Sequence, residues 1–120
     1  MDRNQFNAFC NTFPAVTHVV QWGNSDVWKI GGKVFAIGSR SKTGEPAFIF
    51  KTSEQNYYFL CEADGYIPAP YLASRGMKWI QQTDTRGELD EALTYYVSES
   101  FRIVSAGLSK RLQRELGLME

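Results

Sequence analysis

Apolar residues recur with two different periods along the chain. Near the start, Phe6, Phe9 and Cys10 fall at helical spacing behind Asp2, a residue suited to capping, and Pro14 closes the segment, so a first helix is expected over residues 2–11. Thr17 to Trp22 is rich in β-branched and aromatic residues and reads as a strand. A turn follows at Gly23-Asn24-Ser25. Asp26–Ile30 and Lys33–Ser39 are two further strands, and the Gly31-Gly32 pair between them suits a tight primed turn, whose two central residues both need positive φ. The polar stretch Arg40–Glu45 leads into a fourth strand, Pro46–Lys51, with Phe48 and Phe50 on one face. Four consecutive strands on short loops predict an antiparallel meander.

The second half is more helical. Ser53 can cap a helix over Glu54–Glu62. The stretch from Ala63 to Gly76 holds Gly65, Pro68, Pro70 and Gly76, so it cannot be regular throughout, and it is long for a loop in a small domain. Met77–Thr83 returns as a fifth strand. From Glu88 onward, Leu89, Leu93, Tyr96, Val97, Phe101 and Val104 form one apolar stripe, with Glu88, Asp90 and Glu91 where the helix dipole favours acids. Gly107 ends or kinks this helix, and Leu108, Leu112 and Leu116 repeat every four residues beyond it. The expected fold is α+β: two layers, an antiparallel five-stranded sheet packed on helices in the order α-β-β-β-β-α-β-α, with a short final helix. Residues 1–120 read as one domain.

Charge changes this picture more than composition does. The chain carries 13 basic and 13 acidic residues, which sum to zero. They are unevenly spread: residues 1–52 hold six basic against three acidic, residues 53–70 hold three acidic and no basic, and residues 84–105 hold five acidic against two basic. Strand segments are therefore basic and helical ones acidic, which in a two-layer domain predicts a charge dipole. The first residues lack a basic-then-apolar leader, and no apolar run could span a bilayer, so a cytoplasmic location without membrane contact is expected. Cys10 and Cys61, far apart and without Cys-x-x-Cys spacing, are expected to be reduced thiols.

Reactive chemistry is sparse. His18 is the sole histidine, and in a strand beside Val19 and Val20 it reads as a structural or surface histidine. One histidine and two distant cysteines cannot build a typical zinc site, and the acids from Glu88 to Glu91 read as a solvated helix start, so no metal and no cofactor are expected. Gly31-Gly32 lacks phosphate-loop spacing and joins strand to strand. No catalytic residue is assigned, and the chain is not expected to be an enzyme. What remains is basic residues among aromatics. Lys29 and Lys33 flank the Gly-Gly turn, Arg40 and Lys42 lie in the next hairpin loop, and Arg75 and Lys78 precede Trp79. Such residues can neutralise phosphates, and equally can keep strand edges soluble.

The run Gln21-Trp22-Gly23 followed by Asp26-Val27-Trp28-Lys29-Ile30-Gly31-Gly32-Lys33-Val34-Phe35-Ala36-Ile37 resembles the MmcQ/YjbR-like family of small bacterial proteins. The likeness continues through Pro70-Tyr71, Lys78-Trp79-Ile80, Ser100-Phe101-Arg102-Ile103-Val104 and Leu108-Ser109-Lys110-Arg111, nearly the whole chain. It implies a CyaY-like fold and a "double-wing" DNA-binding role, carried by hairpins of the sheet. Lys29, Gly31, Gly32, Lys33, Lys78 and Trp79 match the family pattern; Ser109, where proline is common, and Gln81-Gln82, where a more apolar strand is expected, depart from it.

The leading expectation is a DNA-binding protein that contacts the phosphate backbone through Lys29, Lys33, Arg40, Lys42, Arg75, Lys78 and Trp79, weakly and with strong salt dependence, as a monomer or weak dimer. The alternative is a protein-interaction or chaperone-like module using Trp22, Trp79 or the Leu108-Leu112-Leu116 stripe. A third is a small-molecule pocket beside the Ala63–Gly76 loop.

Overall fold

Asp2 caps the first helix through a reciprocal pair of bonds: its carboxylate accepts from the Gln5 amide, and the Gln5 side chain accepts from its own. This computed structural model describes residues 1–70, 72, 76–84 and 86–118. Its elements are α1 (Arg3–Cys10), β1 (Val16–Gln21), β2 (Ser25–Ile30), β3 (Lys33–Arg40), β4 (Pro46–Lys51), α2 (Glu54–Cys61), β5 (Tyr66–Pro68), β6 (Trp79–Gln82), α3 (Asp90–Ala106) and α4 (Lys110–Glu115). Ser53 caps α2 and Ser109 caps α4, each hydroxyl accepting from an amide three residues on.

All strands join one antiparallel sheet in the order β1-β2-β3-β4-β6-β5. The sheet has six strands where five were expected. The addition is Tyr66–Pro68, a three-residue edge strand inside the glycine- and proline-rich stretch. It is too short for its alternation to show, and it can end in proline because it lies at an edge. β6 is also less exposed than its glutamines suggest. Gln81 and Gln82 are buried, and the Gln82 amide donates to the Tyr66 hydroxyl (3.4 Å) and the Leu89 carbonyl (3.3 Å).

The helices cover one face of the sheet. There Trp28, Ile30, Phe48, Phe50 and Ile80 meet Phe6 of α1 and Leu93, Val97 and Val104 of α3. Phe6 stacks on Phe48 with centroids 4.6 Å apart. Gly38 in β3 makes this possible, since a Cβ there would stand 3.0 Å from the Phe6 ring. The outer face carries a smaller cluster of Val27, Ile37, Ile49, Ala69 and Trp79. Cys10 and Cys61 are free thiols, and burial, with Asp26 nearby, pushes the Cys10 thiol far up.

One joint between the layers is polar. The β2–β3 register skips so that Trp28 faces Ala36 and Lys29 faces Val34, leaving Phe35 as the extra residue of a bulge. The β3–β4 ladder starts only at Ala36 and Phe50. Beyond it the fully buried Ser100 of α3 inserts: the Lys51 amide donates to its Oγ (2.9 Å), and its hydroxyl donates to the Phe35 carbonyl (2.6 Å).

Candidate nucleic-acid interface

The Gly31-Gly32 turn has φ of 59° and 80°, the double left-handed turn that two glycines allow. It rests on the C-terminal segment. A Cβ on Gly31 would lie 2.7 Å from Leu108 Cδ1 and 3.1 Å from Leu112 Cδ2. The leucine stripe is thus spent on the chain's own core, with Leu108 buried and Leu112 and Leu116 packed against it. The same contact fixes which charges share this end of the sheet. Lys29 and Lys33 come from the hairpin, Lys51 from the end of β4, Lys78 from just before β6, and Lys110 from the start of α4.

Successive hairpins of a meander point to opposite ends. Arg40 and Lys42, in the β3–β4 connection, therefore lie about 25 Å from Lys33 along the eight residues of β3. Arg40 bonds back to the Gly44 carbonyl of its own turn (3.3 Å). The structure separates the two hairpins that the sequence grouped. Lys78 sits over the rings of Tyr57 and Tyr58, 4.9 and 5.0 Å from their centroids. Trp79 is no surface platform: it is 5% exposed, packed in the outer-face cluster. Arg75 lies outside the described residues.

Among the described residues no lysine forms an ion pair, whereas Arg3, Arg86, Arg102 and Arg111 each pair with a carboxylate. Five of the six lysines are at the Gly-Gly end. Asp2, Asp26, Glu45, Asp84, Glu88 and Asp90 lie toward the other. The charge asymmetry therefore runs along the strands, not between the layers, and it is one of lysines: Arg3, Arg40 and Lys42 stand at the far end, and Glu54 opens α2 just beyond Lys51.

A trough of about 420 Å³ opens on the outer face, running from Trp22 of the β1–β2 turn, at the end opposite the Gly-Gly hairpin, to Lys33 and Lys51 at the basic end. Val34, Ile37 and Trp79 line it, Ile103 and Gly107 of the α3 terminus show where β3 and β4 part, and Lys33, Lys51 and Trp22 border it. Trp22 is 62% exposed. It begins a run of three left-handed residues, Trp22, Gly23 and Asn24, with φ of 53°, 72° and 67°. A left-handed tryptophan is costly, and such strain often marks a working site. The Trp79 indole Nε1 is buried with no hydrogen-bond partner among the described residues. Sequence reasoning passed over Lys51, although its place two residues after Ile49 puts it on the outer face.

Across the molecule, Asp26 anchors a separate polar cluster. Its carboxylate pairs with Arg3 (2.7 Å) and with His18 Nε2 (2.7 Å), and the His18 ring lies 4.7 Å from that of Trp28. Burial raises the Asp26 pKa, but hydrogen bonds from Asn7, His18 and Arg3 outweigh it and bring it down to about 2. His18 thus ties β1 to β2.

Helices on one face of an antiparallel sheet, with a Gly-Gly hairpin seated on a C-terminal helix, define a class of small two-layer α+β proteins. Within that class the chain belongs to the YjbR family, whose model matches residues 11–103. The fold is shared with Deinococcus radiodurans protein DR2400, which carries the DUF419 domain. That crystal structure is 19% identical, with a TM-score of 0.82 over 98% of this chain and 89% of that one. A Pseudomonas syringae crystal structure is 15% identical, with a TM-score of 0.69 over 87% of this chain and 99% of that one. At these identities the likeness is one of fold. No curated protein matches the chain. Among the described residues no helix is long and apolar enough to cross a membrane.

Proposed function

We propose that the chain binds the phosphate backbone of nucleic acid through the Gly-Gly end of its sheet. The observation that carries this reading is the gathering of Lys29, Lys33, Lys51, Lys78 and Lys110 at one end, none paired with a carboxylate among the described residues. A solubilising role would scatter lysines and let acids answer them. Here four arginines take carboxylates, while the lysines at this end meet none among the described residues, Lys78 being held instead over Tyr57 and Tyr58. The small neutral family resemblance to double-wing proteins supports the same reading with one wing, the β2–β3 hairpin, in place of two. Arg40 and Lys42 fall outside this contact.

Titration of a labelled 20-base-pair duplex at ~50 mM salt tests it. Binding is expected to weaken with salt at a slope set by about four or five phosphate contacts. Lys33→Glu with Lys51→Glu should cost at least tenfold in affinity, and Lys42→Glu should leave it unchanged. No binding, or binding indifferent to the first pair, overturns the reading.

A further inference from the structure

We infer that the outer-face trough, which reaches from Trp22 to the basic end, holds one unpaired nucleobase together with its phosphate, so that the protein takes single strands in preference to duplex. The inference rests on the backbone-binding reading above and adds what a plain patch of lysines would not provide. The trough has apolar walls in Val34 and Ile37, a volume of about 420 Å³ that a single base fills only in part, and an ammonium group on each of two adjacent strands, Lys33 and Lys51, at its border. An apolar slot flanked by cations suits a ligand that is flat and aromatic in one part and anionic in the next. A nucleotide has that layout; a paired base, stacked inside a duplex, cannot present its face or its edge.

Two tryptophans make the slot specific for a ring with acceptors. Trp22 stands exposed at the border on a left-handed backbone, where an unfilled role would not be worth the strain. Its indole is the stacking surface. Trp79 forms part of the wall, and its Nε1–H is buried without an acceptor among the described residues. A buried donor left unmet costs free energy in the free protein. That nitrogen has no surface open to the trough in the free protein, so a base edge, whose ring nitrogens and carbonyl oxygens are acceptors, meets it only once the wall gives. Met77 at the mouth, 40% exposed, has the rotatable bonds to swing aside as a ring enters.

The test compares three labelled probes at ~50 mM salt: a mixed-sequence 12-nucleotide single strand, the corresponding 12-base-pair duplex, and AMP followed by quenching of tryptophan fluorescence. The single strand is expected to bind about tenfold or more tighter than the duplex. Trp22→Ala and Trp79→Phe, the latter keeping a ring while removing the N–H, should each lower single-strand affinity about tenfold and leave duplex affinity unchanged. Circular dichroism of both variants confirms that they fold, and Trp22→Ala, at an exposed site, carries the test if Trp79→Phe does not. Equal affinity for single strand and duplex, both lost in the Lys33→Glu, Lys51→Glu protein, overturns the base slot and leaves backbone binding standing. Quenching by AMP with no binding of either oligonucleotide overturns backbone binding and assigns the slot to free nucleotides. Silence from all three probes overturns both.

Discussion

Ser100 is an unremarkable residue in the sequence, one small polar position on the apolar side of a long helix. In the fold it satisfies two backbone groups at once, the Lys51 amide and the Phe35 carbonyl, at the point where β3 and β4 separate. Ser100→Ala should destabilise the protein by about 1–3 kcal/mol, the cost of leaving buried backbone groups unmet, and Ser100→Thr should recover part of it if its methyl is accommodated. Urea denaturation measures both. Asp26 gives a second test at this scale. Its folded pKa of about 2 lies below the ordinary value near 3.9, so its contribution is present above about pH 4 and is lost as pH falls toward 2. Asp26→Asn should therefore be weaker than the parent protein by about 1.5–3 kcal/mol at neutral pH, and the gap should narrow between pH 4 and pH 2. A gap that stays constant across that range would refute the assignment.

At the scale of elements, the Gly-Gly hairpin gives the sharpest contrast. Gly32 faces open space, so Gly32→Ala should cost only the left-handed backbone penalty, about 1–2 kcal/mol. Gly31→Ala carries the same penalty and also drives a methyl into Leu108, adding about 1–3 kcal/mol. Thermal melts of the two variants should differ accordingly. This hairpin, the meander around it, and the caps at Asp2 and Ser53 were legible from residue order, because turn chemistry and capping act within four or five residues. β5 was not: three residues ending in proline show no periodicity, and their pairing with β6 is decided by tertiary contact. Gln82 departs from the expected apolar pattern for a related reason: its burial rests on tertiary partners, the Tyr66 hydroxyl and the Leu89 carbonyl, that residue order does not show.

At the scale of the whole molecule, the candidate site was half legible. Lys29, Lys33 and Lys78 could be picked out by their neighbours in sequence. That Lys51 and Lys110 join them, and that Arg40 and Lys42 do not, follows from which end of the sheet each strand finishes at. The zero net charge conceals this arrangement, since five of the six lysines gather at one end. An orientation effect follows: a polyanion should meet the Gly-Gly end first, and reversing that end with Lys33→Glu and Lys51→Glu should slow association more than it speeds dissociation at low salt. Stopped-flow mixing at ~20 and ~200 mM salt separates the two, and equal association rates for parent and variant would count against steering.

The serine wedge has one more consequence. The Lys51 amide proton belongs to a strand by position but is held by a helix side chain. Its exchange with deuterated solvent should therefore keep time with the undocking of α3, while the amides of the adjoining β3–β4 ladder keep time with the opening of the sheet. A single proton thus distinguishes the loosening of one layer from the unzipping of the other.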